Sequence, residues 1–270
     1  MAYASLLEPV VKLTLKAGAV IMDVYNRGFE VRAKDDTSPV TDADERGERV
    51  ILAGLSTLAP DIPVVAEEKA AAGDIPDVGD GPFWLVDPLD GTKEFVNRRG
   101  EFTVNIGLIE NREPVLGAVY APAKDVLYFG SRESGAAMRR LEAGAWSEDI
   151  AISVRRADPE RPTIVASKSH RNPATEAYLA QYPGADTAAA GSSLKFCLVA
   201  SGQADLYPRL GPTMEWDTAA GDAVLRAAGG DVLAPGGRPL LYCKPEFRNG
   251  FFVARGDNAV PVFPLEDPGS

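Results

Sequence analysis

Two aspartates three residues apart, Asp87 and Asp90, stand in the segment GPFWLVDPLDGTKEF, where the apolar run Phe83–Val86 meets a proline. The run predicts a strand ending at Asp87, and Pro88, which has no N–H, is expected to stop further pairing. The two carboxylates can then converge beyond the strand end, while the N–H groups of Gly91 and Thr92 open a helix and face an anion. Carboxylates beside anion-binding amides make chemical sense with a cation between them. Magnesium suits the pattern, because it takes a few protein carboxylates and completes its octahedron with water and phosphate oxygens.

Two other places supply acids of the same kind. Glu67 and Glu68 follow the apolar run IPVVA, again at a predicted strand end, and Asp217, preceded by Glu215 and Trp216, opens the helical pattern TAAGDAVLRAAGG. Alone, Asp217 reads equally well as a helix-capping residue and Glu68–Lys69 as a solvated pair. Their conjunction with DPLDGT is what carries weight.

The elements that must position these acids follow from periodicity. Leu6, Leu7, Val10, Leu13, Ala17, Val20, Ile21 and Val24 mark one face of a helix over 3–26, closed by Gly28, with Pro9 tolerated only in its first turn. A second helix is expected from Asp42 to Leu58, burying Val50, Ile51, Leu55 and Leu58. From 63 to 140 short apolar runs read as strands, with a hairpin at Glu110–Glu113. After a loose stretch over 141–162, strands at 163–167 and 204–208 alternate with helices at 172–182, 192–202 and 217–230. This makes an α+β first part with a mixed or antiparallel sheet and an α/β second part with a smaller sheet, divided near residue 150 into 1–150 and 151–270. The tail 257–270 is expected to be a peripheral arm. The glycine-rich loop 70–81, between Glu67 and Asp87, is a candidate either to close over the site or to be disordered.

Composition removes several classes of function. With 28 basic against 39 acidic residues the net charge is −11, so broad nucleic-acid binding loses its electrostatic term. No apolar stretch is long enough to span a bilayer, and the first residues do not read as a signal peptide. That suggests a cytoplasmic protein, compatible with loose attachment at the inner membrane face. The two cysteines, Cys197 and Cys243, are too few for a disulfide framework or a cysteine-based zinc site, and Cys197 in its apolar run is expected to be buried and reduced. His170 is the only histidine, and no GxSxG elbow accompanies it, which leaves little room for a serine triad.

Over nearly its whole length the chain resembles the inositol monophosphatase superfamily of magnesium-dependent, lithium-sensitive phosphatases, and within it the branch acting on 3′(2′),5′-bisphosphate nucleotides. The resemblance runs through SPVTDAD (38–44), VAEE (65–68), WLVDPLDGTKEFVNRRGEFTVNIGLI (84–109), SKSH (167–170) and GSSLKFCLVASGQADLYPRLGPTMEWDTAAGDAVL (191–225). It implies a layered αβαβα sugar-phosphatase-like fold and two or three Mg²⁺ ions on Glu67, Asp87, the Leu89 carbonyl, Asp90 and Asp217. It also implies inhibition by Li⁺, and makes Thr92 and Asp44 the pair that orients and deprotonates the attacking water. Glu67 would assist as a metal-bound catalytic carboxylate, and Asp42 would only start a helix.

The same resemblance gives substrate contacts at Leu89, Asp90, Gly91, Thr92, His170, Ser192, Lys195, Arg209 and Asp217. Two cations, Lys195 and Arg209, near an acidic metal site suit a ligand with a second phosphate beyond the one cleaved. The implied substrate is therefore a phosphorylated adenosine nucleotide, 3′-phosphoadenosine 5′-phosphate or its sulfated relative, in recycling a by-product of sulfate assimilation. Inositol or another sugar phosphate is the alternative, and a non-catalytic nucleotide or metal sensor a further one. Lys195 could instead pair with Asp205, and Arg209 could cap a carbonyl. Lys34 is a further basic residue near the SPVTDAD segment.

Overall fold

The computed structural model describes residues 3–33, 39–167 and 172–265. Helix α1 (Ala4–Arg27) is followed by strands β1 (Val31–Ala33) and β2 (Pro39–Thr41) and by α2 (Asp42–Leu58). The two helices lie together on one face of an eight-stranded sheet. That sheet comprises β3 (Val64–Ala66), β4 (Phe83–Asp90), β5 (Thr103–Glu110), β6 (Glu113–Ala121), β7 (Val126–Ser131), β8 (Gly135–Glu142), β9 (Ala145–Trp146) and β10 (Ile150–Ile152), with short helices α3 (Glu67–Ala71) and α4 (Thr92–Val96) at the ends of β3 and β4. Its strands run antiparallel except for the parallel pair β3–β4.

The second part contributes β11 (Thr163–Ser167), α5 (Pro173–Leu179), β12 (Asp186–Ala190), α6 (Leu194–Ala200), β13 (Leu206–Arg209), β14 (Thr213–Met214), α7 (Ala219–Ala227), β15 (Asp231–Ala234), β16 (Arg238–Pro239), β17 (Arg248–Asn249) and β18 (Phe252–Arg255). Six of its strands form a sheet in the order β12-β11-β13-β18-β15-β16. Helices α6 and α7 fill the space between the two sheets and α5 covers the far side of the second. The layers are thus helix, sheet, helix, sheet, helix. Strand β10, at the proposed division near residue 150, pairs with β8 of the first sheet, and α7 from the second part packs on β5, β6 and β7.

Both faces of the first sheet are covered, so β4 reads as a continuous apolar run rather than an alternation. Trp84 and Val86 join the core under α1 and α2, while Phe83 and Leu85 join the core shared with α6 and α7. Three glycines in register, Gly107, Gly117 and Gly130, cross β5, β6 and β7. A Cβ at Gly117 would stand 2.3 Å from the Ala220 carbonyl oxygen. The bare backbone lets α7 lie directly on the sheet, and that contact sets where Asp217, just before α7, arrives.

Several expectations need correction. Pro9 lies inside α1, beyond its first turn. Of the expected stripe on α2, Ile51 and Leu55 are fully buried, whereas Val50 and Leu58 are partly buried against the same core. Ser192, expected to begin a helix over 192–202, instead precedes α6 with φ 46°. The tail is no free arm: Val260 and Leu265 are buried, and the Pro261 carbonyl accepts the Tyr182 hydroxyl at 2.7 Å. Loop 70–81 is tied at one end by Lys69–Asp74 (2.7 Å), and its Val78 packs on the core.

Candidate active site

Strand β4 does not stop at Pro88. It pairs with β5 at Asp87↔Asn105, shifts register, and pairs again at Asp90↔Thr103. Residues three apart in a regular strand point to opposite faces, and one extra residue in a bulge returns them to the same side. The proline that was expected to end pairing sits in this bulge, the device that lets Asp87 and Asp90 act together.

Asp87 is buried, 1% exposed, and its Oδ1 accepts the Leu89 N–H at 2.9 Å. Burial pushes its carboxyl well above the ordinary range, and Glu67, Asp90 and Asp217 push it further through their charges. Asp217 is raised for the same reasons, burial first and then Asp90 and Glu67, although Met214 N–H donates to its Oδ2 at 2.8 Å. Burial also raises Asp90, to about 6, against the pull of the Lys195 charge and the Ser193 N–H. Acids from three separated segments therefore feel one another strongly.

Among the described residues no three His, Cys, Asp or Glu side chains form a ready-made ion cage. In this arrangement one oxygen each of Asp87 and Asp217 is held by a backbone N–H, Lys195 draws on Asp90, and the acids still raise one another's pKa values. Clustered, desolvated oxygen donors of this kind suit a hard divalent cation, which removes the repulsion at its source.

Beside the acids lies a hydroxyl–carboxylate pair. Thr92 Oγ1 donates toward Asp44 Oδ1 at 3.2 Å and the Leu89 carbonyl at 3.1 Å. Asp44 is fixed by a capping box, its Oδ2 accepting both the N–H and the hydroxyl of Thr41 at 2.8 Å. Thr41 is the N-cap of α2 and Asp42 the first helical residue, as a helix-start role for Asp42 requires.

A cavity of about 710 Å³ opens over these groups, its wall including Glu67, Asp90, Gly91, Thr92, Ser192, Lys195, Arg209 and Asp217. Asp87, Leu89 and Asp44 lie behind the lining, joined to it by the contacts above. His170 and Lys34 lie outside the described residues. Lys195, 4% exposed, donates to the Ser192 carbonyl at 2.5 Å and stands 5.1 Å over the Tyr207 ring. Burial lowers its pKa to about 8, opposed by the charge of Asp90. It does not pair with Asp205, which is bound by Arg155 at 2.6 Å. Arg209 does cap a carbonyl, that of Pro212 at 2.9 Å.

Three buried features escaped the sequence reading. Glu48, 5% exposed and one turn after Asp44 on α2, accepts the N–H groups of Glu68 and Lys69 at 2.7 and 3.2 Å and so anchors the helix that begins with Glu67. The four-residue spacing from Asp44 was a usable signal. Ser193, Thr103 and Asn105 form a buried network, Ser193 Oγ lying 2.8 Å from Thr103 Oγ1 and 2.6 Å from Asn105 Oδ1. It ties the loop before α6 to the strand opposite Asp90. Glu94, 5% exposed, lines the cavity near Asp90 and Lys195.

A model of the inositol monophosphatase family matches residues 3–253, and the chain belongs to that family. Among curated proteins it is 48% identical over 257 residues to the 3′(2′),5′-bisphosphate nucleotidase CysQ of Shigella flexneri, covering 92% of this chain and 99% of that one. It is 47% identical to the protein of the same name from Salmonella typhimurium, covering 89% and 95%. The solved structure of CysQ from Bacteroides thetaiotaomicron superimposes with a TM-score of 0.76 at 38% identity, over 92% of this chain and 96% of that one.

Proposed function

We propose that the chain is a metal-dependent phosphomonoesterase that removes the 3′-phosphate from 3′-phosphoadenosine 5′-phosphate, yielding AMP and phosphate, with the sulfated nucleotide as a second substrate. The role fits recycling of a by-product of sulfate assimilation. The observation that carries the reading is the meeting, at one cavity, of the acid cluster and the Thr92–Asp44 pair. The relatives that share nearly the whole chain bear the name of this activity.

Glu67, Asp87, Asp90, Asp217 and the Leu89 carbonyl would hold the cations, which we take to be two or three Mg²⁺. When bound, these ions supply Lewis-acid activation of water and neutralise charge on the transferring phosphoryl group. The chain's own residues do the positioning. Thr92, its hydroxyl proton directed at Asp44, offers a lone pair to orient the attacking water, and Asp44 is placed to take the proton that water gives up. Glu67, on the cavity wall, would serve as a metal-bound catalytic carboxylate. Gly91, with φ 91°, turns the chain so that α4 begins at the cavity. Phosphoryl transfer passes through a loose transition state, so orientation and charge supply most of the acceleration.

Ser192, Lys195, Arg209 and His170 are proposed to meet the nucleotide. No described helix is long and apolar enough to cross a membrane, and we place the protein in the cytoplasm. Phosphate release from adenosine 3′,5′-bisphosphate and from inositol monophosphate, at equal enzyme and Mg²⁺, tests the substrate. Faster turnover of the nucleotide is expected, and preference for inositol phosphate would reverse the assignment.

A further inference from the structure

Residues 242–249 form a strap over the segment 213–222 that carries Asp217. Tyr242, fully buried, donates its hydroxyl to Asp222 Oδ2 at 2.9 Å. Glu215, 0% exposed, accepts the N–H groups of Cys243 and Lys244 at 2.8 and 3.0 Å, and its Oε1 lies 2.5 Å from Lys244 Nζ. Asn249 Nδ2 donates to the Met214 carbonyl at 2.9 Å and to Thr218 Oγ1 at 3.1 Å. The pairing of β14 with β17 sets Arg248 directly opposite Met214.

These anchors hold a backbone in a disfavoured conformation. Cys243, Glu246 and Phe247 have φ of 62°, 57° and 51°, in the left-handed region that side chains disfavour. Phe247 is pressed into the core against Phe83, ring centroids 6.1 Å apart. The residues on either side of it, Glu246 and Arg248, line the cavity. A fully buried carboxylate is retained against its desolvation cost because it is saturated with donors, and here those donors belong to the strap.

We propose that Arg248, presented by this strap, is a specificity-determining residue that receives the second, uncleaved phosphate of the substrate. The inference deepens the function proposed above and rests on it. The deep cations of the cavity are each held in part: Lys195 donates to the Ser192 carbonyl and Arg209 to the Pro212 carbonyl, which leaves them to meet the nucleotide from the floor of the cavity while Arg248 reaches it from the strap. Lys93 is exposed on the five-residue α4 and has no comparable framework. Arg248 is exposed, forms no ion pair with any described residue, and is fixed through its backbone on both sides. Its planar fork matches a phosphate better than an ammonium does.

The test is steady-state phosphate release by the full-length enzyme with Mg²⁺, on adenosine 3′,5′-bisphosphate and on adenosine 3′-monophosphate, which lacks the second phosphate. Arg248→Ala is expected to raise KM for the bisphosphate at least tenfold more than for the monophosphate, with the loss in KM rather than kcat, and Arg248→Lys to recover part of it. Glu215→Gln should shift the same KM and add little once Arg248 is alanine. Equal effects on both substrates, or no effect on either, would overturn the proposal, and Arg248→Ala reads this at an exposed side chain even if Glu215→Gln fails to fold. A parent enzyme that prefers the bisphosphate yet is indifferent to Arg248→Ala sinks this inference alone. A parent that releases phosphate from neither nucleotide removes the underlying function and this inference with it.

Discussion

Thr92 Oγ1 stands 3.2 Å from Asp44 Oδ1 across 48 residues of sequence. Asp44 reaches that place because it closes the capping box of α2, so one carboxylate both starts a helix and faces the site. Thr92→Val and Asp44→Asn are each expected to lower kcat by about 10²–10⁴, the usual worth of a positioned proton acceptor, with little change in KM. The double variant should lose little more than either single one, since the two act as a unit. Initial rates under saturating substrate decide this, and independent, multiplying losses would separate the two roles. Asp44→Asn should also cost roughly 1 kcal/mol of stability through the cap.

The acid cluster makes the metal-free protein sensitive to pH in a definite direction. Asp90 is raised to about 6 by burial and by its acidic neighbours, whereas an unfolded aspartate titrates near about 3.9. The folded state therefore binds the proton more tightly, and this carboxyl costs stability progressively as pH rises from about 4 through about 6. In EDTA at pH 7.5, Asp90→Asn should melt above the parent, and the gap should close toward pH 4. With Mg²⁺ the parent should rise in Tm by mass action and the variant much less. A variant that melts below the parent in EDTA at pH 7.5 would contradict the repulsion.

Glu48 supports the site without touching the cavity. Its carboxylate satisfies two N–H groups at the start of the helix that begins with Glu67. Glu48→Ala should raise the Mg²⁺ concentration for half-maximal rate about tenfold, a loss in the range of 1–2 kcal/mol expected when charge-assisted hydrogen bonds are removed. Glu48→Gln, which keeps one acceptor, should lie between. A changed substrate KM with unchanged Mg²⁺ dependence would place its effect elsewhere.

Gly117→Ala is expected to be damaging despite its size. The added methyl would meet the Ala220 carbonyl at 2.3 Å, and neither the sheet nor α7 can yield without moving Asp217. Overpacking of this sort costs about 1–3 kcal/mol. Chemical denaturation and the Mg²⁺ dependence of rate should worsen together. A stable variant with normal Mg²⁺ dependence would show that α7 has room to shift.

The helices and strands were legible because their periodicities are long and clean: α2 starts at Asp42 and ends at Leu58 as its cap and stripe imply. The motif acids stood out in the sequence because each follows an apolar run or precedes a helical pattern. The bulge at Pro88 did not, since a proline after an apolar run ordinarily ends pairing, and only the partner strand shows the ladder resuming at Asp90. The engagement of Lys195 with Ser192 was hidden by φ 46° at Ser192, a conformation that residue type alone does not announce. The burial of Glu48 and Glu215 was not legible, because what keeps them inside is a set of backbone N–H groups from distant segments.

The most direct test of the acid cluster is calorimetric titration of the EDTA-stripped protein with Mg²⁺, comparing the parent with Glu67→Gln, Asp87→Asn, Asp90→Asn and Asp217→Asn. Two or three ions should bind the parent, and each substitution should weaken at least one of them about tenfold or abolish it. Four variants that fold and bind Mg²⁺ as the parent does would contradict the account.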